Sequence, residues 1–201
     1  MKRIFTVMAV CVLSAFTAAA DGIYDSFAAR VASSSVTASY VMRTSSGMSD
    51  SGTAYLCGES WHIDREGFDL WCDGRTVWTV DGKSKEVVVE DCSPEGGRSA
   101  SPVAWFGNLS LFAVSGSGSS VYGGRKCHWT GLTPSRKGEI SELKLYFDLG
   151  GSLFAAELAL GSGGKITFEF SGISYSDKKK TWSFDTSSLD SSWVVTDMRG
   201  F

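Results

Sequence analysis

Gly52–Cys92, GTAYLCGESWHIDREGFDLWCDGRTVWTVDGKSKEVVVEDC, is the stretch whose reading decides the fold. It reads as a run of short strands joined by tight turns. Asp73-Gly74 separates FDLWC from RTVWTV, and Asp81-Gly82 closes the next run. Asp-Gly between alternating apolar runs predicts a hairpin with a type I′ turn, which needs positive φ at both central residues. Gly58-Glu59 and Glu66-Gly67 mark the other joins. Five strands in about forty residues make an antiparallel meander in which sequential neighbours pair. Trp61, Trp71 and Trp78 lie inside it. A sheet wet on both faces would not carry that much aromatic surface, so one face is covered or filled.

Outward from the meander, the chain opens MKRIFTVMAVCVLSAFTAAA. Lys2 and Arg3 are a basic n-region, Ile4 to Phe16 an apolar h-region, and Ala18-Ala19-Ala20 a small-residue cleavage motif. Residues 1–20 therefore read as an export signal cleaved after Ala20. The apolar run is too short to span a bilayer, and Cys11, preceded by Val10 within that run, does not fit a lipoprotein cleavage site. The expectation is a soluble exported protein with one domain over residues 21–201. Loss of Lys2 and Arg3 moves the net charge from -3 to -5. No basic face of the kind nucleic acid requires is present. Lys178-Lys179-Lys180 reads as a solvated turn between strands, with an anionic membrane surface as its alternative partner.

Four cysteines follow the signal: Cys57, Cys72, Cys92 and Cys127. An even number in an exported chain points to disulfides, with three connectivities open. Zinc would want closer pairs such as C-x-x-C, which the chain lacks. Cys57 and Cys72 end strands separated by one other strand, roughly 9.6 Å apart and beyond disulfide reach. Cys92–Cys127 is the preferred pairing among the rest.

Residues 21–32 (DGIYDSFAARVA) show Ile23, Phe27 and Val31 at i, i+4 and i+8, an amphipathic helix that must pack on the sheet. VTASYVMR (36–43) is the first strand, followed by the flexible SSGMSDSG. After Cys92, SPEGGRSAS is a loop and PVAWFGNLSLFAV (102–114) a helix or pair of helical turns. Pro102 suits a first turn, and Trp105, Leu109 and Phe112 recur at helical spacing. This element reads as a core helix or as a movable lid. SGSGSS (115–120) is a flexible surface loop by composition. The sheet resumes with KCHWTGL, ISELKLYFDLGG, SLFAAELALGSGG, KITFEFSGISYS and TWSFDTSS, and WVVTDMR closes it. Leu143, Leu145 and Phe147 point one way and Lys144 and Tyr146 the other, one face buried and one wet.

The fold class that follows is mainly β (α+β). A single curved antiparallel sheet of ten or eleven strands forms an unclosed or half β-barrel, covered by a few helices acting as a lid. The wide apolar face and apolar lid imply a hydrophobic cavity of lipid size. Its expected lining is Trp61, Ile63, Trp78, Val80, Trp105, Leu109, Phe112, Leu145, Phe147, Phe154, Leu158, Phe168 and Phe170; the alternative is that these side chains simply fill a core.

Catalytic signatures are missing: no G-x-S-x-G elbow, no H-E-x-x-H and no phosphate loop. His62 and His128 each stand beside a tryptophan on an expected strand and read as sheet residues. Asp64, Glu66 and Asp69 surround a turn at Gly67, where acidic residues have local reasons to be. The expectation is a binding protein without cofactor, metal or catalytic residue.

The central stretch resembles the periplasmic outer-membrane lipoprotein carriers, the LolA-like family. The shared pattern is a strand beginning at a glycine (Gly52), an aromatic third strand (Trp61), Asp73-Gly74, then Trp78-Thr79-Val80-Asp81 and the Val-rich Val87 to Val89. The later order also fits: an apolar helix, paired strands, an I-x-F-x-F strand followed by SGISY, and a close at WVVTDMR with Asp197-Met198-Arg199. The resemblance covers essentially all of the chain after the signal. It departs from the family where better-studied carriers place an Arg-Pro pair, whose arginine bonds lid carbonyls; here the residues are Cys57-Gly58-Glu59. The resemblance implies a periplasmic monomer that shields the acyl chains of lipoproteins in transit. Its partners would be acylated lipoproteins, an inner-membrane release complex and an outer-membrane acceptor. Alternatives are a lipid- or lipoprotein-sensing module, which usually comes with an anchor or partner domain not read here, or a carrier of another amphiphile such as a glycolipid.

Overall fold

A computed structural model describes residues 22–92, 102–177 and 179–200. The export signal read at 1–20, the loop beginning at Ser93 and Lys178 lie outside the described residues. A helix spans 22–33. Strands follow as β1 Ser35–Thr44, β2 Ser49–Cys57, β3 Ser60–Arg65, β4 Phe68–Cys72, β5 Thr76–Asp81 and β6 Glu86–Asp91. Two 3-10 helices, Pro102–Gly107 and Leu109–Leu111, separate these from β7 Phe112–Tyr122, β8 Arg125–Pro134, β9 Ile140–Phe147, β10 Leu153–Leu160 and β11 Lys165–Ser176. A 3-10 turn, Thr186–Ser188, precedes β12 Val194–Asp197.

The twelve strands are hydrogen-bonded in the linear order β12-β6-β5-β4-β3-β2-β1-β11-β10-β9-β8-β7. That is an open sheet, the topology of the half-barrel class. β1–β6 and β7–β11 are consecutive antiparallel neighbours. β12 instead runs parallel to β6, with Val195 opposite Val87. Among the described residues the strand count is thus one or two above expectation, and the closing strand has the opposite sense.

By contacts the chain divides into two compact units. The first holds the described residues up to Ala29, Thr44–Gly47 and Leu111–Glu169; the second holds Arg30–Arg43, Met48–Ser110 and the residues from Phe170 on.

In the second unit the meander forms as expected, but its turns differ in type. Gly74 alone has positive φ in the β4–β5 turn (+93°). The Asp73 carboxylate accepts the backbone N–H groups of Arg75 and Thr76, both at 2.8 Å. Asp81 does the same for Lys83 and Ser84, and there the left-handed residue is Lys85 (φ 58°). Aspartate acts here as an Asx-turn acceptor, so each loop is longer than a two-residue I′ turn. Gly52 is required for a different reason: a Cβ there would stand 2.3 Å from Asp64 O, in the backbone of β3.

In the first unit, SGSGSS is not a loop but the middle of β7. Gly116 lies opposite Gly131 and Gly118 opposite Trp129. A Cβ on Gly118 would come within 3.0 Å of the Trp129 indole nitrogen, and one on Gly116 within 3.4 Å of the same ring system. The glycines leave the space over which the indole lies, and Lys144 Nζ covers the ring at 4.2 Å from its centroid.

PVAWFGNLSLFAV takes the second of its two expected forms, a pair of short 3-10 turns, and continues from Phe112 as β7. One further expectation is corrected. TWSFDTSS forms no strand: it runs as an irregular segment to the turn at Thr186–Ser188, where the Asp185 carboxylate accepts from Ser187 N.

Candidate functional site

In an antiparallel pair, residues directly opposite share a face of the sheet. In the second unit, register therefore groups Leu56, Trp61, Cys72 and Val77 on one face, together with Ala54, Ile63 and Leu70. All seven are buried, Ile63 completely. The 3-10 pieces 102–111 cover this face. Gly107 packs so closely that a Cβ would lie 2.8 Å from Gly58 O and 3.6 Å from Leu56 Cβ. Val103, Ala104, Phe106 and Leu109 are buried, while Trp105 is half-buried. Phe106 meets the half-buried Phe170 of β11 edge-on, ring centroids 5.0 Å apart. Neither 3-10 piece carries an acid in its first turn or a base in its last. The side chains the cover buries are apolar.

The opposite face of the same strands is covered as well, by the segment from Trp182 to Trp193. Trp182 approaches Tyr55 (5.1 Å between centroids), and His62 stacks between Tyr55 (5.3 Å) and Trp71 (3.6 Å). Phe184, Leu189 and Trp193 pack with Trp78 on Val80, Val87 and Val89. The backbone is anchored at Ser60, whose hydroxyl donates to Cys72 O (2.9 Å) and accepts from Trp182 N (2.6 Å). His62 Nε2 is 2.9 Å from Asp69 Oδ1, and Lys180 Nζ lies 3.7 Å above the Trp182 ring. β3 is consequently buried on both sides from Ser60 to Ile63.

The expected cavity set is thereby divided. Trp61 and Ile63 share the face beneath the 3-10 cover. Trp78 and Val80 lie on the other face, because Trp78 is opposite Trp71 and Val80 opposite Asp69. Burial alone cannot separate the two groups when a strand is covered on both sides.

The first unit has its own apolar face. Leu132, Leu143, Leu158 and Ile166 align across four strands, and Leu145, Ala156 and Phe168 across three. Leu145, Phe147, Leu158 and Phe168 are completely buried, and Phe147 meets Phe27 of the helix edge-on at 5.3 Å. Phe112, opposite Pro134 and two residues from Val114, which faces Leu132, is on this side. Phe154 is not. Phe147 is opposite Leu153 but Tyr146 is opposite Ala155, so an extra residue bulges at Phe154. The bulge turns it to the outer side, against Tyr122 and under Arg125. Tyr146 is buried there too, 4.3 Å from Tyr122, its hydroxyl donating to Glu157 (2.9 Å). Burial, then the Glu157 bond, push the Tyr146 phenol well above the ordinary tyrosine range. The face expected to be wet is therefore dry at its centre.

On the inner side β8 contributes two buried polar atoms with no protein partner, His128 Nδ1 and Thr130 Oγ1. His128 stands opposite Phe147 and Thr130 opposite Leu145, so both belong to the apolar face. Sequence reasoning passed over Thr130; its place two residues from Leu132 in an alternating strand was the available signal.

A polar groove of about 450 Å³ is walled by Ser49, Asp50, Ser51, Arg65, Glu66 and Phe68. Asp50 holds the Arg65 guanidinium at 2.7 Å, so the groove offers no unneutralised charge from that pair. The cysteines take other neighbours than expected. Cys92 Sγ lies 3.3 Å from Cys72 Sγ, while the Cys127 thiol donates to Ser120 O (3.5 Å) and packs with Tyr146 and Ala155.

The class these features define is a mainly β, open-sheet fold whose apolar faces are closed by short 3-10 pieces, an irregular segment and a helix. No family model and no curated protein matches the chain. Among solved structures, an uncharacterized conserved protein from Thermus thermophilus aligns over 89% of this chain and 99% of its own, with a TM-score of 0.51 and 9% identity. A LolA superfamily protein from Nitrosomonas europaea aligns over 84% of this chain and 96% of its own (TM-score 0.41, 11% identity). The Pseudomonas aeruginosa MucA/MucB complex supplies a chain aligned over 86% of this one and 62% of its own (TM-score 0.40, 16% identity).

Proposed function

We propose that the chain is an exported, periplasmic binding protein, without catalysis, that shields the acyl chains of lipoproteins on their way from the inner to the outer membrane. It would be loaded by an inner-membrane release complex and unloaded by an outer-membrane acceptor. The observation that carries this reading is the covered face of the second unit: Trp61 and Ile63 beneath short 3-10 pieces whose buried side chains are apolar. Each methylene withdrawn from water is worth about 0.8 kcal/mol, so an acyl chain needs such a surface to cross an aqueous space. A carrier must also let go. A six-residue and a three-residue 3-10 piece have few internal hydrogen bonds to lose when they lift. Trp61, Ile63, Trp105, Leu109 and Phe170 are the lining this reading selects in the second unit.

The test adds residues 21–201 to spheroplasts of the source organism and examines the supernatant for acylated lipoproteins in soluble complex with the protein. Release is expected, and its loss with Phe170→Asp, a half-buried position chosen because the variant should still fold. Recovery of free lipid on the protein instead, with no lipoprotein released, would move the assignment to an amphiphile-binding or sensing module.

A further inference from the structure

We propose that Cys72 and Cys92 are a disulfide pair, joined across the tip of the β4–β5 hairpin. Cys72 is the last residue of β4 and Cys92 follows the end of β6, with β5 between those strands in the sheet. Strand spacing would hold β4 and β6 roughly 9.6 Å apart. At the hairpin tip that limit no longer applies. Asp73, Gly74 and Arg75 turn the chain, and Cys92 N donates to Arg75 O at 2.6 Å, which draws the end of β6 over the turn. The thiols meet there with their sulfurs 3.3 Å apart. A disulfide asks them to close by roughly 1.3 Å more, a distance rotation about the two Cα–Cβ bonds can supply.

The two sulfurs have unequal access. Cys72 is fully buried beside Trp61, whereas Cys92 is half-buried. The hydrogen bond to Cys92, followed by burial, raises the Cys72 thiol far above the ordinary range. Cys92 is therefore the thiol that meets an external oxidant, a disulfide RSSR of the glutathione or thiol-oxidase class. Its thiolate attacks one sulfur, forming Cys92–S–SR and expelling RS⁻. Cys72 then gives up its proton and attacks Cys92 Sγ, expelling the second RS⁻. Two protein thiols are oxidised, one RSSR is reduced, and two RSH leave. The product ties the end of β6, where the chain departs towards Pro102, to the strand under the 3-10 cover.

The full chain is treated with oxidised glutathione, alkylated, and digested with trypsin for mass spectrometry. The expected product links peptide 66–75 to peptide 86–98, both without alkyl groups. Cys72→Ser removes the resolving thiol, so the same treatment should leave glutathione on Cys92. Linkage of 86–98 to the Cys127 peptide, 127–136, would overturn the proposal. So would alkylation of both Cys72 and Cys92 after oxidation, or a wild-type protein that keeps glutathione on Cys92 with Cys72 alkylated.

Discussion

Replacing Gly107 with alanine tests whether the 3-10 cover is separable from the sheet beneath it. The new Cβ would stand 2.8 Å from Gly58 O. That carbonyl belongs to the β2–β3 turn, held by the pairing of Cys57 with Ser60, so the turn cannot yield cheaply. The strain falls on the cover. Overpacking of this kind costs about 1–3 kcal/mol. Because only the closed form bears that cost, the lifted form should become about 5- to 150-fold more populated. Hydrogen exchange measured peptide by peptide reads this directly. Amides of 102–111 should exchange faster by that factor, while those of β9 and β10 keep their wild-type rates. Affinity for an apolar fluorescent probe should rise by a similar factor. Equal acceleration in β9 and β10 would mean that the whole protein had been weakened. Unchanged exchange at 102–111 would mean that the cover does not lift on its own. Either result refutes the reasoning.

Ser60→Ala leaves Cys72 O without its donor and Trp182 N without its acceptor. The expected loss is about 1–3 kcal/mol in unfolding free energy, read from the denaturant midpoint, with faster tryptic cleavage after Lys180 as the Trp182 segment loosens. Phe168→Asp places an unpaired charge at a position with 0% exposure. It should abolish the cooperative circular-dichroism melt; a variant that melts like wild type would show that Phe168 borders solvent-filled space.

The meander was legible because its turn residues and alternation agree. Leu143, Leu145 and Phe147 could likewise be assigned to one face from spacing alone, as the register confirms. What escaped reading depended on partners distant in sequence. Gly116 and Gly118 look like loop composition until Trp129 is laid over them. Phe154 has the parity of Leu158, and only a bulge against β9 reverses it. Trp78 and Val80 look like lining until the 182–193 segment supplies a second covered face. Pro102 and the spacing of Trp105, Leu109 and Phe112 left a helix and a pair of helical turns both open; Gly107 lies against Gly58 O, and the chain turns into β7 at Phe112. Cys92 was given to Cys127 as the pair that would close the insertion between two sheet segments; that the end of β6 is drawn over the β4–β5 turn, beside Cys72, has no signal in the spacing.

The parallel pairing of β12 with β6 has a consequence for how the molecule behaves in company. β6 reads EVVVED, and its outer backbone groups would otherwise be an open template for another extended chain. β12 occupies that template over Glu86–Val89, and Met198 N closes onto Val89 O at 2.8 Å. The strand that takes the outside position, VVTD, is only four residues long, and Arg199 folds back on Asp197 just beyond it. The outer edge of the sheet is thereby cut to a four-residue strand that ends in a charged pair, with Val194 and Val195 its exposed apolar side chains.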